Sequence, residues 1–163
     1  MTVKEILLEQ FAAAYDTNGW FVALKNALKD LTVEEAVWKP ENFDNSIWEI
    51  LSHLNYYNYA YLERFKGRAY VYQINSNDET FTAKVSAEAW QAEIEKFEKI
   101  MSEWRNLLES ADENKFGEFY SAKRQILWGK VIGDINLHNA HHGGQIVVLR
   151  KLQGSWDSSK GVS

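Results

Sequence analysis

The chain has 163 residues, 45% of them apolar and 14% aromatic, with a formal charge of −5 and a pI near 5.4. That length suits one domain with a sizeable core and is too short for two, so a single domain over residues 1–163 is expected, with residues 155–163 as a mobile tail. The acidic balance argues against nucleic-acid and anionic-lipid partners, and the lack of cysteine excludes disulfides, thiolate metal ligands and a cysteine nucleophile.

No apolar run approaches the roughly 20 residues that span a bilayer, and the first ten residues, MTVKEILLEQ, lack the apolar core of a secretory leader. A cytoplasmic location without a membrane partner is the expectation.

In chain order, Ile6, Leu7, Phe11, Ala14, Tyr15, Val22, Leu24 and Leu28 recur at mostly helical spacing, which predicts a first helix over residues 3–29. Asn18 and Gly19 interrupt it; glycine there costs about 1 kcal/mol relative to alanine. A kink, close packing near Trp20 or a merely tolerated glycine are the alternatives. Thr32 and Glu35 have capping-box spacing for a short helical turn, which Pro40, the single proline, brings to an end. Ser46 and Glu49 repeat the signature and open a second long helix, IWEILSHLNYYNYAYLERFKG, with Gly67 as its stop.

Residues 67–84 mix aromatic and β-branched residues with turn formers and read as a long crossover loop. Ser86 opens a third helix through Trp90, Ile94, Phe97, Ile100, Met101, Trp104, Leu107 and Leu108, ending near Ala111. A polar connector leads to a last helix that starts between Ile126 and Val131 and runs to Leu152, with Gly154 as its stop. The pattern predicts an all-α bundle with a long crossover.

At about 100° per residue, Val131, His138, His142, Gln145, Leu149 and Leu152 fall within about 40° of one direction on the last helix. Two imidazoles four residues apart can reach one metal ion, and His53, on the flank of the apolar face of the second helix, is the third candidate ligand. Three neutral imidazoles would leave a coordination position for water or substrate, as an open catalytic site requires. Histidines satisfied by hydrogen bonds without a metal are the alternative. His141 lies off this direction. Asp134, one turn before His138, is either a partner that orients that imidazole or a solvent-facing acid.

The segments SIWEILSHLNYYNYAYLERFKG and NLHNAHHGGQIVVLRKLQG resemble the DinB-like superfamily of small metal-binding bundles. The matching positions are His53 on the second helix and, on the fourth, His138, His142, Gly144 and Gln145; the position after the last histidine, often arginine in relatives, is Gly143 here. The resemblance implies a four-helix bundle with up-up-down-down connections, a homodimer, and a divalent ion, zinc or nickel, held by the three histidines. It also implies a thiol-dependent S-transferase, of the kind that uses bacillithiol or mycothiol, whose metal activates a low-molecular-weight thiol toward an electrophile. A non-catalytic metal-binding stress-response or interaction protein and a metal-dependent hydrolase are the alternatives. Trp20, Trp48 and Tyr57 are the aromatic candidates for the pocket wall, and Gln145 is placed either near the site or in helix packing.

Overall fold

A computed structural model of the chain describes residues 1–161 and is mostly helical. Six α-helices, α1 (Val3–Tyr15), α2 (Leu24–Leu28), α3 (Val33–Val37), α4 (Ile47–Phe65), α5 (Ala87–Ser110) and α6 (Trp128–Leu152), are joined by loops, 3-10 turns and one short hairpin among the described residues. Local chemistry sets where the helices start. Thr2, Thr32 and Ser46 each accept from the backbone N–H three residues on, while Glu5, Glu35 and Glu49 return the bond to the cap backbone, closing reciprocal boxes on otherwise unpaired first-turn donors. Gly67 and Gly154 follow α4 and α6 with φ of 80° and 78°, the left-handed turn that ends a helix most easily in glycine.

The single helix expected over residues 3–29 is two helices with a loop between them. Asp16 ends α1, its carboxylate taken by both terminal nitrogens of Arg105 on α5 at 2.8 and 2.7 Å. The Asn18 side chain then accepts from the Ala23 N–H and from the Asn26 amide, which turns Val22, Ala23 and Leu24 into the core and leaves Trp20 on the outside, fully exposed.

The four long helices form a closed ring of neighbours: α1 packs on α6, α6 on α4, α4 on α5 and α5 on α1, while α2 rests on α6 and α3 on α4. Phe11, Leu51, Leu54, Phe97, Met101, Trp104, Ile132 and Ile146 fill the interior. The Trp104 indole donates to the Asn58 carbonyl at 3.0 Å, so this large apolar group leaves no donor unpaired.

Between α5 and α6 the chain is more than a polar connector. A 3-10 turn over Glu113–Gly117 is followed by an antiparallel hairpin of β1 (Phe119–Ser121) and β2 (Ile126–Leu127). The crossover from α4 to α5 holds a 3-10 turn over Asn77–Thr80. It is tied to α4 by Arg64, which donates to the Tyr72 hydroxyl and the Tyr70 carbonyl and lies over the rings of Tyr61, Tyr70 and Tyr72.

At the carboxyl end, buried Arg150 donates to the carbonyls of Ala27, Lys29 and Ser155, and Trp156 lies over its guanidinium, packed against the core. Of the tail expected from residue 155 onward, residues 162 and 163 lie outside the described residues. No described helix is long and apolar enough to cross a membrane.

Candidate metal centre

The Ser46 box fixes the start of α4, and His53 follows about two turns into the helix; its side chain points inward and is 4% exposed. On α6, His138 and His142 lie one above the other, as four-residue spacing dictates. Because α4 and α6 are neighbours in the ring, the three imidazoles meet, with one ring nitrogen of each within 4.8 Å of the other two. The Nε2 of His138 is 3.0 Å from that of His53 and 3.1 Å from that of His142.

The outer nitrogens fix the tautomers. The Thr80 hydroxyl donates to the Asn77 carbonyl at 2.6 Å, so towards His53 Nδ1, 2.7 Å away, it can only accept. His53 therefore carries its proton on Nδ1 and turns an Nε2 lone pair inward. The Gln145 Oε1 is an acceptor 2.6 Å from His142 Nδ1, so His142 is protonated there and its Nε2 is likewise a lone pair. One proton on His138 Nε2 can serve only one of its two contacts, which leaves lone pair facing lone pair in the other. A cation among the three nitrogens removes that repulsion, and the neutral imidazoles match the donor set of zinc and comparable ions.

Electrostatics agree. Burial, then the repulsion of His138 and His142, pushes His53 down to about 3; burial, then His142 and His141, pushes His138 down to about 4. Burial also holds His142 below its ordinary value, although the bond to Gln145 works in the opposite direction. All three are neutral at pH 7, the form that ligates metal. Phe81 stacks on the His53 ring at 4.2 Å with an 11° interplanar angle and limits its rotation.

The imidazoles border a cavity of about 690 Å³ whose walls include Tyr57, Tyr61, Tyr72, Phe81 and Tyr120, a size and character that suit a small organic ligand. His138 lies beside the reciprocal amide pair of Asn58 and Asn139, at 2.8 and 3.0 Å, which joins α4 to α6.

The candidate residues from sequence separate clearly. His53, His138 and His142 come together, Gln145 accepts from His142, and Tyr57 lines the cavity and donates to Asn77. Asp134 lines the cavity too, but its carboxylate takes Lys130 at 2.5 Å and does not orient His138. Trp48 does not reach the cavity: five residues from His53, about 140° around α4, it is buried against Trp90. Trp20 is not a wall residue either, being fully exposed on the loop after α1.

Thr80 and Phe81 went unread because their contact with His53 joins segments 27 and 28 residues apart with no local signature. Asn58 and Asn139 carried a signal, as amides on the buried faces of their helices beside apolar neighbours.

Comparison with known proteins adds one match. The model of one protein family, described as the DinB superfamily, matches residues 22–146, a span that contains all three histidines. Neither the curated proteins nor the solved structures gave a match.

Proposed function

The chain belongs to the DinB superfamily, and from that membership and the converging imidazoles we propose a metal-dependent thiol S-transferase in which His53, His138 and His142 hold one divalent ion, zinc or nickel. The observation that carries this reading is the set of ring nitrogens, two fixed as lone pairs by Thr80 and Gln145, at the border of a cavity large enough for a small organic molecule. Three protein ligands would leave a divalent ion able to take a further, exchangeable ligand, whereas a purely structural site would supply a fourth from the protein.

When bound, the ion supplies charge that lowers the pKa of a coordinated thiol, so that the thiol reacts as thiolate at neutral pH. The chain has no cysteine, so the thiol comes from a low-molecular-weight cosubstrate. The residues contribute orientation and shielding. Thr80 and Gln145 hold two imidazoles in the ligating tautomer. Phe81, Tyr57 and Tyr72 keep water from one side of the site and offer flat apolar surface to an electrophile. In the transfer, the thiol releases its proton to solvent, its sulfur forms a bond to an electrophilic carbon, and the bond from that carbon to the leaving group breaks, the leaving group departing with its electron pair.

The test begins with elemental analysis of untagged protein beside folded His53→Ala and His142→Ala variants. Near-stoichiometric metal in the native protein and its loss from both variants are expected, followed by metal-dependent consumption of a cellular thiol with monobromobimane or chlorodinitrobenzene. Little metal after reconstitution would overturn the site; full metal without thiol consumption would leave a metal-binding protein and overturn the transferase.

A further inference from the structure

The cavity reaches from the three imidazoles to the hairpin of β1 and β2, where Arg124 lines it. The chain has five arginines, and four are committed to the fold. Arg64 donates to Tyr72 and to the Tyr70 carbonyl, Arg68 pairs with Glu63, Arg105 grips Asp16 and Arg150 holds three backbone carbonyls. Among the described residues the Arg124 guanidinium alone has no hydrogen-bond or ion-pair partner. The one carboxylate in the lining, Asp134, is occupied by Lys130. Arg124 therefore gives the lining a positive charge that no carboxylate of the lining offsets, and it disfavours cationic ligands.

The turn that presents Arg124 is held in place. Gln125 adopts φ 55°, a left-handed conformation that costs a residue with a side chain about 1 kcal/mol or more. Gln125 donates to the Ala122 carbonyl through both its backbone N–H at 3.3 Å and its side-chain amide at 2.9 Å, and the Arg124 N–H donates to the Ser121 hydroxyl at 3.4 Å. A guanidinium fork matches a carboxylate in plane and can donate two parallel bonds to it. The same lining holds the rings of Tyr57, Tyr61, Tyr72 and Tyr120, an aromatic wall that favours a flat ligand body.

We infer that the cavity takes a carboxylate-bearing aromatic or unsaturated ligand, its carboxylate on Arg124 and its other end toward His53, His138 and His142. This rests on the reading of the three histidines as an open metal site, and it makes Arg124 the residue that selects for the ligand's charge.

Calorimetric titration of zinc-loaded protein with 4-mercaptobenzoate and with its neutral amide, 4-mercaptobenzamide, tests it in the native protein, Arg124→Gln and Arg124→Lys. The carboxylate is expected to bind roughly tenfold tighter than the amide in the native protein, as one charge-assisted bond allows. Arg124→Gln should abolish that preference and Arg124→Lys restore part of it, with circular dichroism confirming that both variants are folded. Equal binding of the two ligands by the native protein, absence of binding, or a preference that survives Arg124→Gln would overturn the inference. Repeating the titrations on chelator-stripped protein separates the two claims. A carboxylate preference that is unchanged without metal and still dependent on Arg124 upholds the Arg124 site while refuting metal coordination of the thiol. Strong metal-dependent binding without a carboxylate preference does the reverse.

Discussion

Two bonds to outer ring nitrogens decide what the centre can hold. Thr80 and Gln145 each accept from an imidazole Nδ1–H, of His53 and His142 respectively. An imidazole that loses this acceptor can turn, or move its proton to the nitrogen that should ligate, and such losses weaken metal binding about 10–100-fold. Thr80→Val and Gln145→Leu are accordingly expected to weaken zinc binding by that factor in competition with a chromophoric chelator, while Thr80→Ser, which keeps the hydroxyl, stays near the native value. Native affinity in both apolar variants would show that the tautomers are set elsewhere. Gln145 is solvent-exposed and Thr80 buried, so an effect shared by both cannot be ascribed to loss of core packing.

Between elements, the Asn58–Asn139 pair fixes how closely α4 approaches α6, and both amides are buried. Asn139→Ala leaves the buried Asn58 Oδ1 without its donor, although Asn58 Nδ2 keeps its bond to the Leu54 carbonyl; the orphaned acceptor costs about 1–3 kcal/mol, and loss of the pair loosens the spacing on which the histidine cluster depends. Urea unfolding should show the destabilisation and chelator competition a weaker site. Ser46→Ala, which removes the cap of α4 about two turns before His53 and touches neither amide, should cost about 1 kcal/mol and leave metal affinity alone. Equal effects of the two variants on affinity would show that the amide pair does not position the site. The contrast between local and long-range contacts also explains what the sequence disclosed. The boxes at Thr32 and Ser46, the stops at Gly67 and Gly154 and the histidine seam of α6 are local patterns, and they predicted helix limits close to those observed. The end of α1 depends on Arg105 reaching Asp16 across 89 residues, and the hairpin turns at Gln125 with positive φ where no glycine marks it. His53 lay on the flank of its helical face by periodicity; its inward position is fixed by α6 and by Thr80 on the crossover, contacts that no helical wheel contains.

At the scale of the whole chain, the centre joins α4, α6 and the crossover, so its protonation and its metal both act on folding. His53 and His138 have folded values of about 3 and about 4, and His142 is lowered too, against an ordinary 6.5. Below about 6.5 the unfolded chain binds more protons than the folded one, so the contribution of these groups is complete above that pH and is lost progressively as pH falls toward the folded values. Asp16, lowered chiefly by its bond to Arg105 from an ordinary 3.8, acts in the same direction but well below this window. Metal-free protein should therefore lose melting temperature between pH 6.5 and pH 5, and a variant combining His53→Gln, His138→Gln and His142→Gln should lose much less. Zinc at a hundredfold excess over its Kd adds about 2.7 kcal/mol by mass action, or roughly 5–10 °C for a chain of this size. That gain should be absent in the variant and shrink toward pH 5 as protons compete for the same nitrogens. Parallel melting curves for the two proteins across this window would mean that the imidazoles take up protons in the fold as readily as in the unfolded chain, and would overturn the reading of a buried, neutral cluster ready to ligate.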